Sequence, residues 1–266
     1  MTSGIAPVSG GRLAYDIEGD GPALVLVHAG ICDRRMWDGV WPALAARHLV
    51  VRYDARGFGE SGPVKDPFSP RADLAALLDH LGIGRAALCG VSYGGQIALE
   101  TALEYPDRVR ALALVCCTAA WDDAPDGLVE RMEEAEAAGE GGDVDRAVEL
   151  ELRIWLDGDG RAEPLDPELR EGVRAMNLRA WELGLESTGS AERPMPPAST
   201  RLGSVGVPTL VVAGEHDVPF MTESCRSLAN AIPGARFELM RGVAHLPPLE
   251  RPAVFAPLLL DFLQSR

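Results

Sequence analysis

The chain has 266 residues, 47% of them hydrophobic, and a formal net charge of −15. That is enough apolar material for one large core, or one core plus a small insert, and the wrong sign of charge for a nucleic-acid partner. No run approaches the ~20 apolar residues that a bilayer span needs, and the first residues have neither a basic start nor an apolar core; a cytoplasmic protein with no membrane partner is expected.

In chain order, Gly11–Glu18 alternates in the manner of an antiparallel edge hairpin. Val25–His28, Leu49–Asp54, Ala86–Val91, Ala111–Val115 and Thr209–Ala213 are short apolar runs bounded by Gly, Pro, Asp or His. Parallel strands covered on both faces have this look. Helical stretches fall between them, around Ala72–His80, Gly95–Leu103 and Glu223–Ala231. Alternation of this kind predicts an α/β fold with a mostly parallel, doubly wound sheet.

The middle of the chain reads differently. From 118 to 200 there is no strand candidate, and three helices are predicted: Asp126 to Ala138, Asp143 to Leu156, and Asp166-Pro167 to Leu183. Aspartate caps the orphan N–H groups of a first turn, and proline suits the first helical position. Leu169, Val173, Met176 and Ala180 make an apolar stripe at helical spacing. This segment holds 21 acidic residues against eight arginines, so nearly all of the charge imbalance lies here. It reads as the solvated surface of helices and disfavours anionic substrates. With Gly/Pro-rich linkers at both ends, 118–200 reads as a helical lid inserted into a core domain made of 1–117 and 201–266.

Gly90-Val91-Ser92-Tyr93-Gly94 stands between a buried strand and a helix. A serine between two glycines on a sharp strand-to-helix turn has its hydroxyl pushed out of the backbone, and the helix N-terminus favours negative charge beside it. A serine hydroxyl needs a base, usually histidine, oriented by a carboxylate. Five histidines are available. His245 lies in a loop after the apolar stretch Arg236–Met240 and is the expected base. His28 reads as a brace between loops, His48 and His80 as surface residues at helix ends, and His216 as pointing elsewhere. Asp217, after the strand Thr209–Ala213, is the expected acid, with Glu215 as its competitor. The order Ser92, Asp217, His245 is the one this strand-and-loop architecture requires. An oxyanion needs two backbone N–H groups. Tyr93 supplies one, and Gly30, or failing it Ile31, the other. The five cysteines have no paired spacing and read as buried free thiols; no metal site and no cofactor motif is expected.

The chain resembles the α/β-hydrolase family over its whole length outside the lid. Gly-Val-Ser-Tyr-Gly-Gly (90–95) carries the likeness together with Leu-Val-His-Ala-Gly (26–30), Tyr-Asp-Ala-Arg-Gly-Phe-Gly-Glu-Ser (53–61), Gly-Glu-His-Asp (214–217) and Ala-His-Leu-Pro-Pro-Leu-Glu-Arg-Pro (244–252). The resemblance implies that Asp54, Arg56 and Gly59 are structural. His28-Ala29 replaces the His-Gly of many members, and Ala29-Gly30-Ile31 followed by Arg35-Met36-Trp37 is similar to the enol-lactonase and small-ester branch. A serine at 92 departs from the family's dehalogenases and epoxide hydrolases, which use aspartate. Tyr93 departs from its proline iminopeptidases and haloperoxidases, and Leu246 from its C–C bond hydrolases. Hydrolysis of a small ester or lactone is therefore expected, with a C–C bond hydrolase or a cofactor-free lyase or cyclase as the alternative. The lid's aromatics, Trp121, Trp155 and Trp181, are candidates for substrate contact, with Cys32 and Trp37 weaker ones.

Overall fold

The apolar runs of the sequence become the centre of a sheet. The structure is a computed structural model, and it describes residues 1–158, 160–161 and 164–264. Among these, β1 (Thr2–Val8), β2 (Gly11–Glu18), β3 (Ala23–Val27), β4 (Leu49–Tyr53), β5 (Ala86–Val91), β6 (Val109–Val115), β7 (Thr209–Gly214) and β8 (Arg236–Met240) form one sheet in the order β1-β2-β4-β3-β5-β6-β7-β8. β1, β2 and β4 pair antiparallel, and β4 through β8 run parallel. The helices are α1 (Trp41–Ala45), α2 (Pro70–His80), α3 (Tyr93–Glu104), α4 (Asp126–Glu140), α5 (Val144–Trp155), α6 (Pro167–Leu185), α7 (Pro219–Ala231), α8 (Pro247–Glu250) and α9 (Pro252–Gln264).

Alternate residues of each central strand feed two apolar layers. Leu24 and Leu26 of β3 pack on one face with Trp37, Val91 and the α9 residues Phe255 and Leu259. Val25 and Val27 pack on the other with Leu74, Leu77 and the α3 residues Ile97 and Leu99. A sheet buried on both faces explains why these runs are continuously apolar. The chain leaves β3 for its neighbour β4, then crosses to β5 on the other side of β3. That reversal opens a crevice outside the carboxyl ends of β3 and β5, where ligands settle in open α/β sheets.

Between β6 and β7 the chain is helical. Asp143 and Asp166 cap α5 and α6, accepting from Arg146 N and Glu168 N. Asp126 is the first residue of α4 rather than its cap; Pro125 holds that place. After α6 the chain returns to the core beside the loop that follows β4: Thr188 N donates to Val64 O at 2.9 Å and Glu192 N to Phe68 O at 2.7 Å.

The turn after β4 is built around two carboxylates. Asp54 accepts from the backbone N–H groups of Arg34 and Glu60, each at 2.8 Å. Arg56 donates through Nε and Nη2 to both oxygens of Asp73, each at 2.6 Å. His28 braces the neighbouring loops: its Nε2 accepts from Ala55 N at 3.0 Å, and its Nδ1 lies 2.8 Å from Ala29 O. His48 is not the surface residue its position after a helix predicts; it is buried between α1 and β4.

One buried carboxyl in this scaffold sets a pH dependence. Burial, reinforced by Glu104 and opposed by Arg71, pushes Glu100 on α3 up to about 7, against an ordinary 4.5. The folded chain then holds a proton that the unfolded chain releases, so this stabilisation is complete below about 4.5 and lost as pH rises through about 7. Glu100→Gln is expected to stabilise the protein at pH 8 by about 1–3 kcal/mol relative to wild type, and much less near pH 4.5. Urea unfolding of both proteins at the two pH values checks this.

Candidate active site

Ser92 follows β5 and caps α3 with φ 53° and ψ −115°, a conformation that L residues rarely adopt. The strain is held from both sides. Ser92 N donates to Val115 O at 2.8 Å, and Ser92 O accepts from Gln96 N at 3.1 Å. The glycines are required by contact: a Cβ at Gly90 would overlap the carbonyl of Gly94, and one at Gly94 the carbonyls of Val27 and His28. Gly94→Ala is expected to cost about 1–3 kcal/mol or more, because only backbone could move to make room. Thermal unfolding reads this directly.

Asp217 and His245 meet at the same carboxyl edge of the parallel strands. Asp217 follows β7; its Oδ1 accepts from Val218 N at 2.8 Å, and its Oδ2 lies 2.8 Å from His245 Nδ1. Both side chains are almost completely withdrawn from solvent. A proton on Nδ1 donates to Asp217 and leaves Nε2 as the basic nitrogen. Glu215, the competing carboxylate, is engaged elsewhere: its Oε2 accepts from Gly242 N at 2.9 Å. The Trp155 ring lies 4.6 Å from the imidazole, centroid to centroid, and Trp155 O accepts from His245 N at 3.3 Å.

The loop carrying His245 is pinned by Glu250, a residue that the reading of the sequence did not single out. Its Oε1 accepts from Leu246 N and its Oε2 from Ala244 N, each at 2.9 Å, and Arg161 pairs with it. The signal available in the sequence was an acid a few residues beyond the histidine, with Pro247 and Pro248 turning the chain between them.

Cys116, after β6, sits behind the pair with φ 45°. Its Sγ lies within 4.8 Å of the Asp217 and His245 donor atoms. Burial, with the charge of Asp217 adding to it, pushes its thiol well above the ordinary range. Both oxygens of Asp217 already accept hydrogen bonds, and the Cys116 thiol packs behind that acid. All five cysteines are free and buried.

A cavity of about 470 Å³ is lined by Gly30, Phe58 and Tyr93 on the sheet side and by Glu151, Asn177 and Trp181 on the helical side. Gly30 stands against Tyr93: a Cβ built on it would lie 3.7 Å from the Tyr93 Cβ. Tyr93 is the first residue of α3, where N–H groups have no intrahelical partner. Of the three tryptophans singled out from the sequence, Trp181 lines this cavity. Trp155 covers His245, while Trp121 packs edge-on against Trp155 and beside Phe220. Trp37 and Cys32 are buried in the core. Among the described residues, no helix is long and apolar enough to cross a membrane.

Known proteins resemble this chain over nearly its whole length. The pimeloyl-[acyl-carrier protein] methyl ester esterase of Neisseria meningitidis serogroup B is 29% identical over 250 residues, covering 90% of this chain and 92% of that protein. The crystal structure of the enol-lactonase from Burkholderia xenovorans LB400 superposes with a TM-score of 0.82 at 27% identity, covering 98% of this chain and all of that one. A thermophilic esterase from Thermogutta terrifontis, with malate bound, superposes with a TM-score of 0.80 at 27% identity, covering 100% and 99% of the two chains. The family profile described as alpha/beta hydrolase fold matches residues 22–252, and this chain is an enzyme of the alpha/beta hydrolase family.

Proposed function

We propose that this enzyme hydrolyses small carboxylic esters or lactones through an acyl-enzyme formed on Ser92. The observation that carries the reading is the buried Asp217–His245 pair at 2.8 Å, at the same sheet edge as a strained serine. Ser92 attacks the carbonyl carbon while His245 Nε2 takes its proton, and Asp217 stabilises the imidazolium that forms. The N–H groups of Gly30 and Tyr93 hold the oxyanion, a contribution of about 100–1000-fold per donor. His245 then returns the proton to the leaving alkoxide and activates a water that attacks the acyl-enzyme. The relatives named as methyl ester esterase and enol-lactonase support this class of substrate.

Residues 118–200 act as the lid of a core made of 1–117 and 201–266, and the cavity between them is the substrate pocket. Trp181 contributes apolar surface to that pocket directly. Trp155 and Trp121 act one behind the other, keeping water from His245. The free, buried thiols support a reducing, cytoplasmic setting. A pocket of about 470 Å³ suits a ligand of modest size. With p-nitrophenyl esters of graded chain length and a set of lactones, kcat/KM is expected to peak at short or medium acyl chains and fall at least about 10-fold for long ones. Absence of turnover on every ester and lactone contradicts the proposal.

A further inference from the structure

We infer that Glu151 is a specificity-determining residue of this pocket and selects substrates that carry a protonated amine on the portion held beneath α5 and α6, an inference that rests on the ester-hydrolase reading of the same site. Glu151 lies on the inner side of α5, beside the buried Val148, Leu152 and Trp155. A carboxylate on that side leaves water and faces the cavity opposite Gly30 and Tyr93. Its Oε2 accepts from Asn177 Nδ2 at 2.7 Å and from Trp181 Nε1 at 2.9 Å, so α6 fixes the plane of the group.

What it has no use for inside the protein is its charge. Both hydrogen bonds could be accepted by the amide oxygen of a glutamine. The other acids nearby on the helical segment have cationic partners: Glu149 and Asp157 pair with Arg170, and Asp145 with Arg174. Among the described residues, Glu151 forms no ion pair. Arg56, the cation that lines the cavity, has Nε and Nη2 committed to Asp73. Burial accordingly pushes the Glu151 carboxyl above the usual carboxylate range. A ligand cation would supply the missing partner, whereas a ligand carboxylate would meet like charge in a poorly hydrated site.

The test compares three p-nitrophenyl esters near pH 8: the 6-(dimethylamino)hexanoate, its uncharged isostere 7-methyloctanoate, and the monoester of pimelic acid. Wild type is expected to favour the amine over the isostere by about 10-fold or more in kcat/KM and to disfavour the carboxylate. In Glu151→Gln the amine-to-isostere ratio is expected to fall to within about 3-fold of one. A wild type without the preference, or a folded variant that keeps it, overturns the inference. Should Glu151→Gln fail to fold, Glu151→Asp, which withdraws the charge by one methylene, is expected to lower the ratio at least about 3-fold, and an unchanged ratio counts against the inference. If wild type cleaves none of the esters, the hydrolase reading fails separately. Calorimetric binding of N,N-dimethyl-3-phenylpropylamine and of 3-phenylpropionate then decides: about 10-fold weaker amine binding in Glu151→Gln supports the site, and equal affinities overturn it.

Discussion

Ser92→Ala is expected to lower ester turnover by about 10⁴- to 10⁶-fold while leaving a cooperatively folded protein. The loss follows from the proposed chemistry, since no acyl-enzyme can form without the hydroxyl. Retention of fold follows from the packing around it: the turn is held by Ser92 N on Val115 O and by the close approach of Gly90 to Gly94, neither of which uses the serine side chain. A companion variant separates strain from chemistry. At φ 53° and ψ −115° any Cβ is strained, by roughly 1–3 kcal/mol, and glycine is not. Ser92→Gly should therefore be as inactive as Ser92→Ala yet more stable to unfolding by about 1 kcal/mol after the entropic cost of glycine. Equal stability of the two variants would mean that the elbow stores no strain.

Asp217→Asn is expected to reduce kcat by about 10⁴-fold with little change in stability. An amide at that position presents an N–H to His245 Nδ1, so the imidazole takes the tautomer with its proton on Nε2 and cannot accept one from Ser92. Glu215→Gln is the matched control, because its Oε2 serves Gly242 N and an amide oxygen accepts the same bond. It should lower kcat less than about 10-fold. The opposite ranking in steady-state kinetics would move the acid from 217 to 215. His245→Ala should match Ser92→Ala in size, since groups acting as one unit do not add.

The parts of this molecule legible in its sequence are those whose physics is local or periodic. β3 through β7 declared themselves because both faces are buried, leaving no room for polar alternation. β1 did not: it is an edge strand in which only Ala6 is buried, so no apolar rhythm marks it. Arg236–Met240 reads as an apolar stretch, and its paired outer position explains its mixed burial. Caps were legible at Asp143 and Asp166, where the side chain bonds the backbone two or three residues on.

Long-range relations were harder to read. Asp217 and Glu215 both follow β7, and spacing alone ranks them weakly; what separates them is the partner each meets across the sheet edge. Glu250 looks like any acid near a helix end until its bonds to Ala244 N and Leu246 N are seen. His48 shows the converse, a polar residue at a helix end that tertiary packing buries. The tryptophans mark the limit of reading by residue type. All three lie between β6 and β7, yet one lines the cavity, one covers the histidine and one supports the second. Glu151 sits in the acidic stretch that reads as solvated surface, and only the fold shows that it faces inward.

The most direct test is covalent. A fluorophosphonate traps an activated serine as a stable adduct, and intact-mass measurement followed by peptide mapping locates it. One adduct per chain, on Ser92, formed in step with loss of ester hydrolysis and absent from Ser92→Ala, is the predicted result. Ester hydrolysis that survives in Ser92→Ala, or an adduct that silences the enzyme from another residue, would contradict the account.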